Sequence, residues 1–459
     1  MIVIGEKMES IQAVRGMNDI LPDESGWWQK VENAAREVLG NFGYREIRTP
    51  VLEKLELFAR SIGESTDIVE KEMYAFEDRN GERLALRPEA TASIVRSYVQ
   101  HSLYTDSALQ KLYEIGPMFR HERPQKGRYR QFHQIDAEVF GIDGPMIDAE
   151  MMHMLSLLMD RIGLSGLILN INTLGCPECR QTYREILKDF LTAKGDQFCP
   201  DCLRRRETNP LRVFDCKVER CGALLESAPL LIDYICEDCR AHFEAVKDYL
   251  EKLGTRYAVN PRIVRGLDYY MRTTFEVITD RLGAQNAIGG GGRYDGLVRD
   301  LGGPDVPAIG FAIGMERLIM LLQQEHREQV RALQANVTEQ SSTSQVNVPD
   351  GVKITEPSRA PFVFIASLGE QPRASAFELV QQLRGRGLEA EMDYEGRSLK
   401  SQMRRADKSG ARYVLIFGED ELMRRQIQLR DMRTKTQRVL PLDDLVESML
   451  RIDSETTER

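Results

Sequence analysis

Apolar residues recur at helical spacing over 22–42, where Trp28, Val31, Ala34, Ala35, Val38 and Leu39 form one stripe and Pro22 and Asp23 mark its start. Phe42-Gly43-Tyr44 breaks that helix. Residues 45–51 follow as a strand, which Pro50 confines to a sheet edge or an interface. Apolar or alternating runs predict further strands at 84–87, 111–120, 130–140, 167–173 and 273–278. A helix rich in Met and Leu spans 146–162, its methionines read as core. Ala308 to Leu318 runs from a strand through Gly314 into a helix. Consecutive strands with short connections predict an α+β domain on a largely antiparallel sheet rather than a doubly wound one.

The pattern then changes twice. From 324 to 360, Gln, Ser, Thr, Asn and Val follow one another without a period, as in a linker or a mobile insertion. Past Pro361, strand 363–367, helix 374–386, strand 389–393, helix 398–409 and strand 413–417 alternate, so 361–459 reads as a separate α/β domain. The main domain is then 1–323, interrupted by a cysteine-rich insertion at about 174–256.

Length and composition set limits. A chain of 459 residues is long enough for two or three domains, and 42% hydrophobic with 29% charged residues is ordinary for a globular protein. No apolar run reaches the length that spans a bilayer, and the N-terminal residues lack the apolar core and cleavage site of a secretory signal, so a cytoplasmic protein with no membrane partner is expected. The net charge of −9 argues against a nucleic-acid coat protein, yet leaves room for an enzyme that binds nucleic acid through a local patch.

Three stretches carry candidate chemistry. Arg265-Gly-Leu-Asp-Tyr-Tyr270 packs a cation, a carboxylate and two phenols together, and Gly289-Gly-Gly-Gly-Arg-Tyr-Asp-Gly296 sets four glycines before an Arg-Tyr-Asp triplet. Glycine runs let a backbone approach a ligand closely, and the two stretches read as opposite walls of one polar pocket. Between the strands at 111–120 and 130–140, Phe119 to Gln134 holds a basic turn whose guanidinium forks suit phosphate oxygens.

Together these residues resemble the class II aminoacyl-tRNA synthetases. The Phe119-Arg-His-Glu-Arg123 hairpin is similar to their motif 2, Gly310 to Arg317 to motif 3, and the helix and strand ending in Pro50 to motif 1. The stretches at 265–270 and 291–296 resemble the two signatures of the histidyl-tRNA synthetase family, and Arg87-Pro-Glu-Ala-Thr91 and the C-terminal domain extend the likeness over nearly the whole chain. The resemblance implies ligation of L-histidine to tRNA(His), with ATP and Mg2+ as the substrate complex, by a homodimer joined through motif 1.

It also implies roles, residue by residue. Arg120 holds the α-phosphate, Arg265 its far side, and Arg317 the terminal phosphates. Glu122 and Arg123 lie near the nucleotide and the acceptor end, with Gln125 beside them on the tRNA side. Glu138 and Tyr270 face the imidazole; Glu89, Thr91 and Gln134 hold the α-amino group; Tyr269 completes the wall. The C-terminal domain reads the anticodon stem and loop, with Arg397, Lys400, Arg404 and Arg405 against phosphates. A regulatory paralogue, which binds histidine and controls a biosynthetic enzyme without activating anything, is the competing implication. The presence of Arg120, Arg265, Arg317 and a full C-terminal domain weighs against it.

The cysteines lie outside this resemblance. All eight fall in four pairs, Cys176/Cys179, Cys199/Cys202, Cys216/Cys221 and Cys236/Cys239. Three are C-x-x-C pairs, and nineteen residues part the first two, a spacing that suits four-thiolate zinc binding. One or two structural zinc ions are expected in the insertion, with disulfides the poorer explanation in a cytoplasmic protein.

Overall fold

The computed structural model describes residues 11–63, 66, 68–264, 267, 269–282, 286–340 and 362–457. The described residues fall into two compact units, 11–340 and 362–457.

The first unit is built on eight strands: β1 (Arg45–Glu46), β2 (Gln110–Phe119), β3 (Gln131–Phe140), β4 (Ile168–Thr173), β5 (Ala258–Val259), β6 (Met271–Ile278), β7 (Ala287–Arg293) and β8 (Ala308–Gly314). Their spatial order is β1-β2-β3-β8-β7-β6-β4-β5. All neighbours are antiparallel except the edge pairs β1–β2 and β4–β5. A smaller three-stranded sheet forms from 52–54, 75–77 and 83–86.

Helices α1 (Pro22–Asn41), α2 (Thr91–Gln100), α3 (Pro145–Ile162) and α8 (Met315–Gln340) pack on this framework, and α4 (Pro177–Ala193), α5 (Pro200–Thr208), α6 (Glu219–Leu225) and α7 (Glu237–Lys252) make up the insertion. Helix α1 begins with Pro22 in its first turn beside Asp23 and Glu24, where a missing N–H costs nothing and negative charge meets the helix dipole. Trp27, rather than Trp28, is the aromatic it buries; Trp28 is half-buried with its ring edge against His133. Met151, Met152, Met154 and Met159 of α3 are all core.

Two expectations change. The strand at 45–51 shortens to two residues, because side chains replace the ladder beyond it. The N–H and hydroxyl of Thr49 both bond the Glu114 carboxylate, at 3.1 and 2.7 Å, and Pro50 has no N–H to offer. The linker expected from 324 begins later, since α8 continues to Gln340. Residues 324–340 are rich in Gln, Glu, Arg and Ala and contain neither Gly nor Pro, so helix propensity persists where apolar periodicity fades. The remainder of that stretch, 341–360, lies outside the described residues.

The second unit carries β9 (Val363–Ser367), β10 (Ala390–Met392), β11 (Tyr413–Phe417), β12 (Gln426–Asp431) and β13 (Gln437–Pro441) in the order β10-β9-β11-β12-β13. The first three are parallel, and β12 and β13 add antiparallel strands. Helices α9 (Glu370–Gly385) and α11 (Leu445–Thr457) share one apolar cluster with this sheet, and α10 (Leu399–Lys408) packs into a second through Ala406.

Candidate active site

Strand alternation positions the site. Ile135, Ala137 and Val139 of β3, with Ile309, Phe311 and Ile313 of β8, enter the large core shared with α1, α3 and α8. The intervening residues therefore face the other side of the sheet. On β3 these are Phe132, Gln134, Asp136 and Glu138; on β8 they are Gly310, Ala312 and Gly314. The small residues of β8 make room for the polar ones of β3: a Cβ on Gly310 would sit 1.5 Å from the Glu138 Oε2.

A cleft of about 240 Å³ opens on this face. Glu89, Thr91, Gln134, Tyr269 and Tyr270 line it together with Arg120, Glu122 and Arg317, so eight of the residues singled out in the sequence converge. Gly289 and Gly290 also line it, which brings the tyrosine stretch and the glycine stretch into one cleft. The rest of the glycine run has a different reason. A Cβ on Gly291 would meet the Gly310 carbonyl oxygen at 1.9 Å and one on Gly292 the Thr273 oxygen at 2.5 Å, so these two allow strands to pack rather than a ligand to approach.

The arginines are held by backbone. Arg120 donates from Nε to the Pro88 carbonyl at 2.9 Å, with its guanidinium carbon 5.2 Å from the Phe132 ring centroid. Arg317 donates to the carbonyls of Gly127, at 3.1 Å, and Ala287. Burial and then the neighbouring Arg128 lower the Arg317 pKa, against the opposing pull of Glu122. Glu122 pairs with Arg128 at 2.8 Å.

Burial acts on the acids of this face as well. Glu89 is 3% exposed; burial raises its pKa against the hydrogen bond it accepts from the Ala92 N–H at 2.9 Å. A cationic ligand group beside it would favour its charged form. The Oε1 of Gln134, which lines the cleft, is buried without a hydrogen-bond partner among the described residues.

A histidyl-tRNA synthetase family model matches residues 16–318, and an anticodon-binding-domain model matches residues 363–452. The chain belongs to the histidyl-tRNA synthetase family. The histidine–tRNA ligase of Desulfosudis oleivorans is 50% identical over 435 residues, covering 95% of this chain and 96% of that one. The histidine–tRNA ligase of Geobacter metallireducens is 50% identical over 433 residues, 94% and 98% of the two chains. Among solved structures, apo S. aureus histidyl-tRNA synthetase superposes with a TM-score of 0.76 at 34% identity, covering 96% of this chain and all of that one.

Some family-implied residues stand apart from the cleft. Glu138 is fully buried and is not among the lining residues. Its oxygens accept from the Thr91 hydroxyl, at 2.6 Å, and from the Tyr294 hydroxyl, and burial pushes its carboxyl up to about 8. Arg123 and Gln125 are exposed on the β2–β3 turn, outside the lining. Arg397, Lys400 and Arg404 are exposed in the second unit, where Arg397 pairs with Glu395 at 2.6 Å and the half-buried Arg405 lies 3.6 Å from Asp393. Arg265 lies outside the described residues.

Other members of this histidyl-tRNA synthetase site were missed. Tyr294, the middle residue of the Arg-Tyr-Asp triplet, donates its hydroxyl to Glu138. Glu316 lines the cleft and accepts the His133 N–H at 2.9 Å; its place beside Arg317 was the available signal. Asp136, on the same face of β3 but not lining the cleft, is fully buried with both oxygens lacking a hydrogen-bond partner among the described residues. Arg293 of the same triplet turns away from the cleft, into a buried ion pair with Asp148 at 2.7 Å.

The cysteines form two groups, Cys176, Cys179, Cys236 and Cys239 in one and Cys199, Cys202, Cys216 and Cys221 in the other, with the sulfurs of each within 4.8 Å of one another. The first pair thus meets the fourth, not the second as its spacing suggested.

Proposed function

We propose that this protein activates L-histidine with ATP and transfers it to tRNA(His), releasing pyrophosphate and then AMP. The observation that carries the proposal is the single cleft in which Arg120 and Arg317 stand with Glu89, Thr91 and Gln134. Such a site takes a polyphosphate and a zwitterion side by side.

In the first step the histidine carboxylate attacks the α-phosphorus, the bond to the bridging oxygen breaks, and pyrophosphate leaves. Charge grows on the phosphoryl oxygens, so fixed cations are the principal aid. Arg120 holds the α-phosphate and Arg317 the terminal phosphates, with Arg265 assigned to the far side by family resemblance. Mg2+ enters with ATP as part of the substrate. Glu89, Thr91 and Gln134 hold the α-ammonium group, and Tyr269 walls the cleft.

The imidazole is read by Tyr270 and by Glu138, whose carboxyl oxygens each retain a lone pair beyond the bonds from Thr91 and Tyr294. A site built to bond two ring nitrogens rejects side chains that leave those groups unpaired. In the second step the terminal ribose hydroxyl of tRNA attacks the acyl carbon, AMP leaves, and a phosphate oxygen of the adenylate takes the proton.

The basic turn carrying Arg123 and Gln125 contacts the acceptor end, and Arg397 and Arg404 contact the anticodon arm. A cytoplasmic homodimer joined through the motif 1 region fits this reading; among the described residues no helix is long and apolar enough to cross a membrane. The cysteine quartets suit structural zinc: Cys176 and Cys179 sulfurs are 3.4 Å apart and Cys199 and Cys216 sulfurs 3.7 Å, against ~3.8 Å in a tetrahedron with ordinary Zn–S bonds. The regulatory paralogue is not favoured, given the retained Arg120 and Arg317 and relatives that are themselves named histidine–tRNA ligases.

ATP–pyrophosphate exchange with each amino acid in turn tests the reading. Exchange with histidine alone is expected. Histidine binding without exchange would replace the ligase with the regulatory paralogue.

A further inference from the structure

Resting on the zinc reading above, we propose that the two cysteine quartets are separate metal sites with different tasks. The outer one, Cys176, Cys179, Cys236 and Cys239, is a positioning element for the histidine wall of the cleft. The inner one, Cys199, Cys202, Cys216 and Cys221, holds only the insertion itself.

The outer quartet joins the start of the insertion to the start of its last helix, α7. Cys176 and Cys236 are the N-cap residues of α4 and α7, and Cys179 and Cys239 lie in the first turns of those helices. Thiolates there meet the positive ends of two helix dipoles. The Cys236 N–H donates to the Cys179 sulfur at 3.0 Å, so the first turns of α4 and α7 already meet through a ligand atom. Gly175, directly before the quartet, has φ +61°, and a Cβ there would sit 2.7 Å from the Cys179 Cβ. The chain enters the quartet with no slack.

That entry point is bonded to the tyrosine stretch. The Leu174 N–H donates to the Arg272 carbonyl at 2.7 Å, and the Arg272 N–H returns to the Gly175 carbonyl at 2.8 Å. Arg180, one residue past Cys179, donates to the Tyr270 carbonyl. On its other side the Tyr270 ring lies against Gly292, where an added Cβ would come within 3.1 Å of it. The backbone of Tyr270 is therefore held between β7 and the base of the insertion, and what fixes the base fixes the tyrosine. Among the described residues, the amide bonds given to the inner quartet's sulfurs come from Cys199 and Val218, both within the insertion.

The test uses the full chain purified without chelator, with zinc counted by mass spectrometry and the histidine KM read from ATP–pyrophosphate exchange, which needs no tRNA. Two zinc ions per wild-type chain are expected, and one in each of Cys176→Ser and Cys216→Ser. Cys176→Ser is expected to raise the histidine KM about tenfold or more, and Cys216→Ser to leave it within about twofold. Arg180→Met, which keeps both quartets, is expected to retain two zinc ions and still raise the histidine KM.

An unchanged KM in Cys176→Ser, or an equal rise in both cysteine variants, overturns the positioning role while the zinc sites stand. A chain without zinc overturns the metal sites and the proposal with them. Absence of exchange in the wild-type chain is a different failure, that of the ligase reading. Should Cys176→Ser not fold, an unchanged KM in Arg180→Met overturns the proposal by itself.

Discussion

At the scale of the residue, the acids behind the cleft give the protein a distinctive dependence on pH. Burial raises the Glu138 carboxyl from an ordinary 4.5 to about 8, so the folded chain keeps a proton that the unfolded chain releases above about 4.5. Stability falls with pH wherever the folded state binds more protons. This component is therefore lost progressively between about pH 4.5 and pH 8, and is flat above that. Glu138→Gln holds a neutral group of the same shape and carries no proton to lose. In urea unfolding at several pH values, the variant is expected to gain on the wild type as pH rises from 5 to 8, by up to a few kcal/mol; parallel curves would mean that the carboxyl is ionised in the folded protein. Such behaviour was not legible in the sequence. The acid at 138 could be named from the motif, but its raised pKa comes from burial among distant stretches, against the hydrogen bonds from Thr91 and Tyr294 that pull it down.

At the scale of the element, the central strands depend on glycine for packing distance. Gly291 faces the Gly310 carbonyl across β7 and β8, and backbone cannot step aside as a flexible side chain can. Gly291→Ala is expected to cost at least about 3 kcal/mol. Gly40, in the last turns of α1 with nothing within 4 Å of an added Cβ, is the control, and Gly40→Ala is expected to stabilise by roughly 0.5 kcal/mol. Thermal or urea unfolding of both variants checks the pair, and equal effects would remove the packing argument. The same strands show what a sequence discloses. β2, β3, β8 and β11 could be read closely because apolar alternation or continuous apolar runs mark buried strands. β7 could be seen only as a glycine run, since Gly289 to Gly292 have no side chains to alternate. β12 and β13 carry mostly half-buried or exposed polar residues, and the insertion helices rest on sulfur as much as on apolar stripes.

At the scale of the whole molecule, the two units divide the work. The residues lining the cleft all belong to the first unit, and the second has its own apolar clusters built from β9 to β12 with α9, α10 and α11. Amino-acid activation then needs the first unit alone, and charging needs both. A net charge of −9 sharpens the division, because a polyanion is attracted only through local basic patches and gains from having two of them on one chain. A chain ending at Gln340 is expected to retain histidine-dependent pyrophosphate exchange within about tenfold, and to lose a hundredfold or more in tRNA charging at limiting tRNA, on the order of what linked binding sites contribute. The loss should lie in the tRNA KM, so raising tRNA concentration should recover much of the rate. Recovery would mean that the second unit supplies affinity. A charging rate that stays low at saturating tRNA, with exchange intact, would mean instead that the second unit orients the acceptor end for transfer. Loss of exchange in a folded truncated chain would show that the cleft is not complete within the first unit.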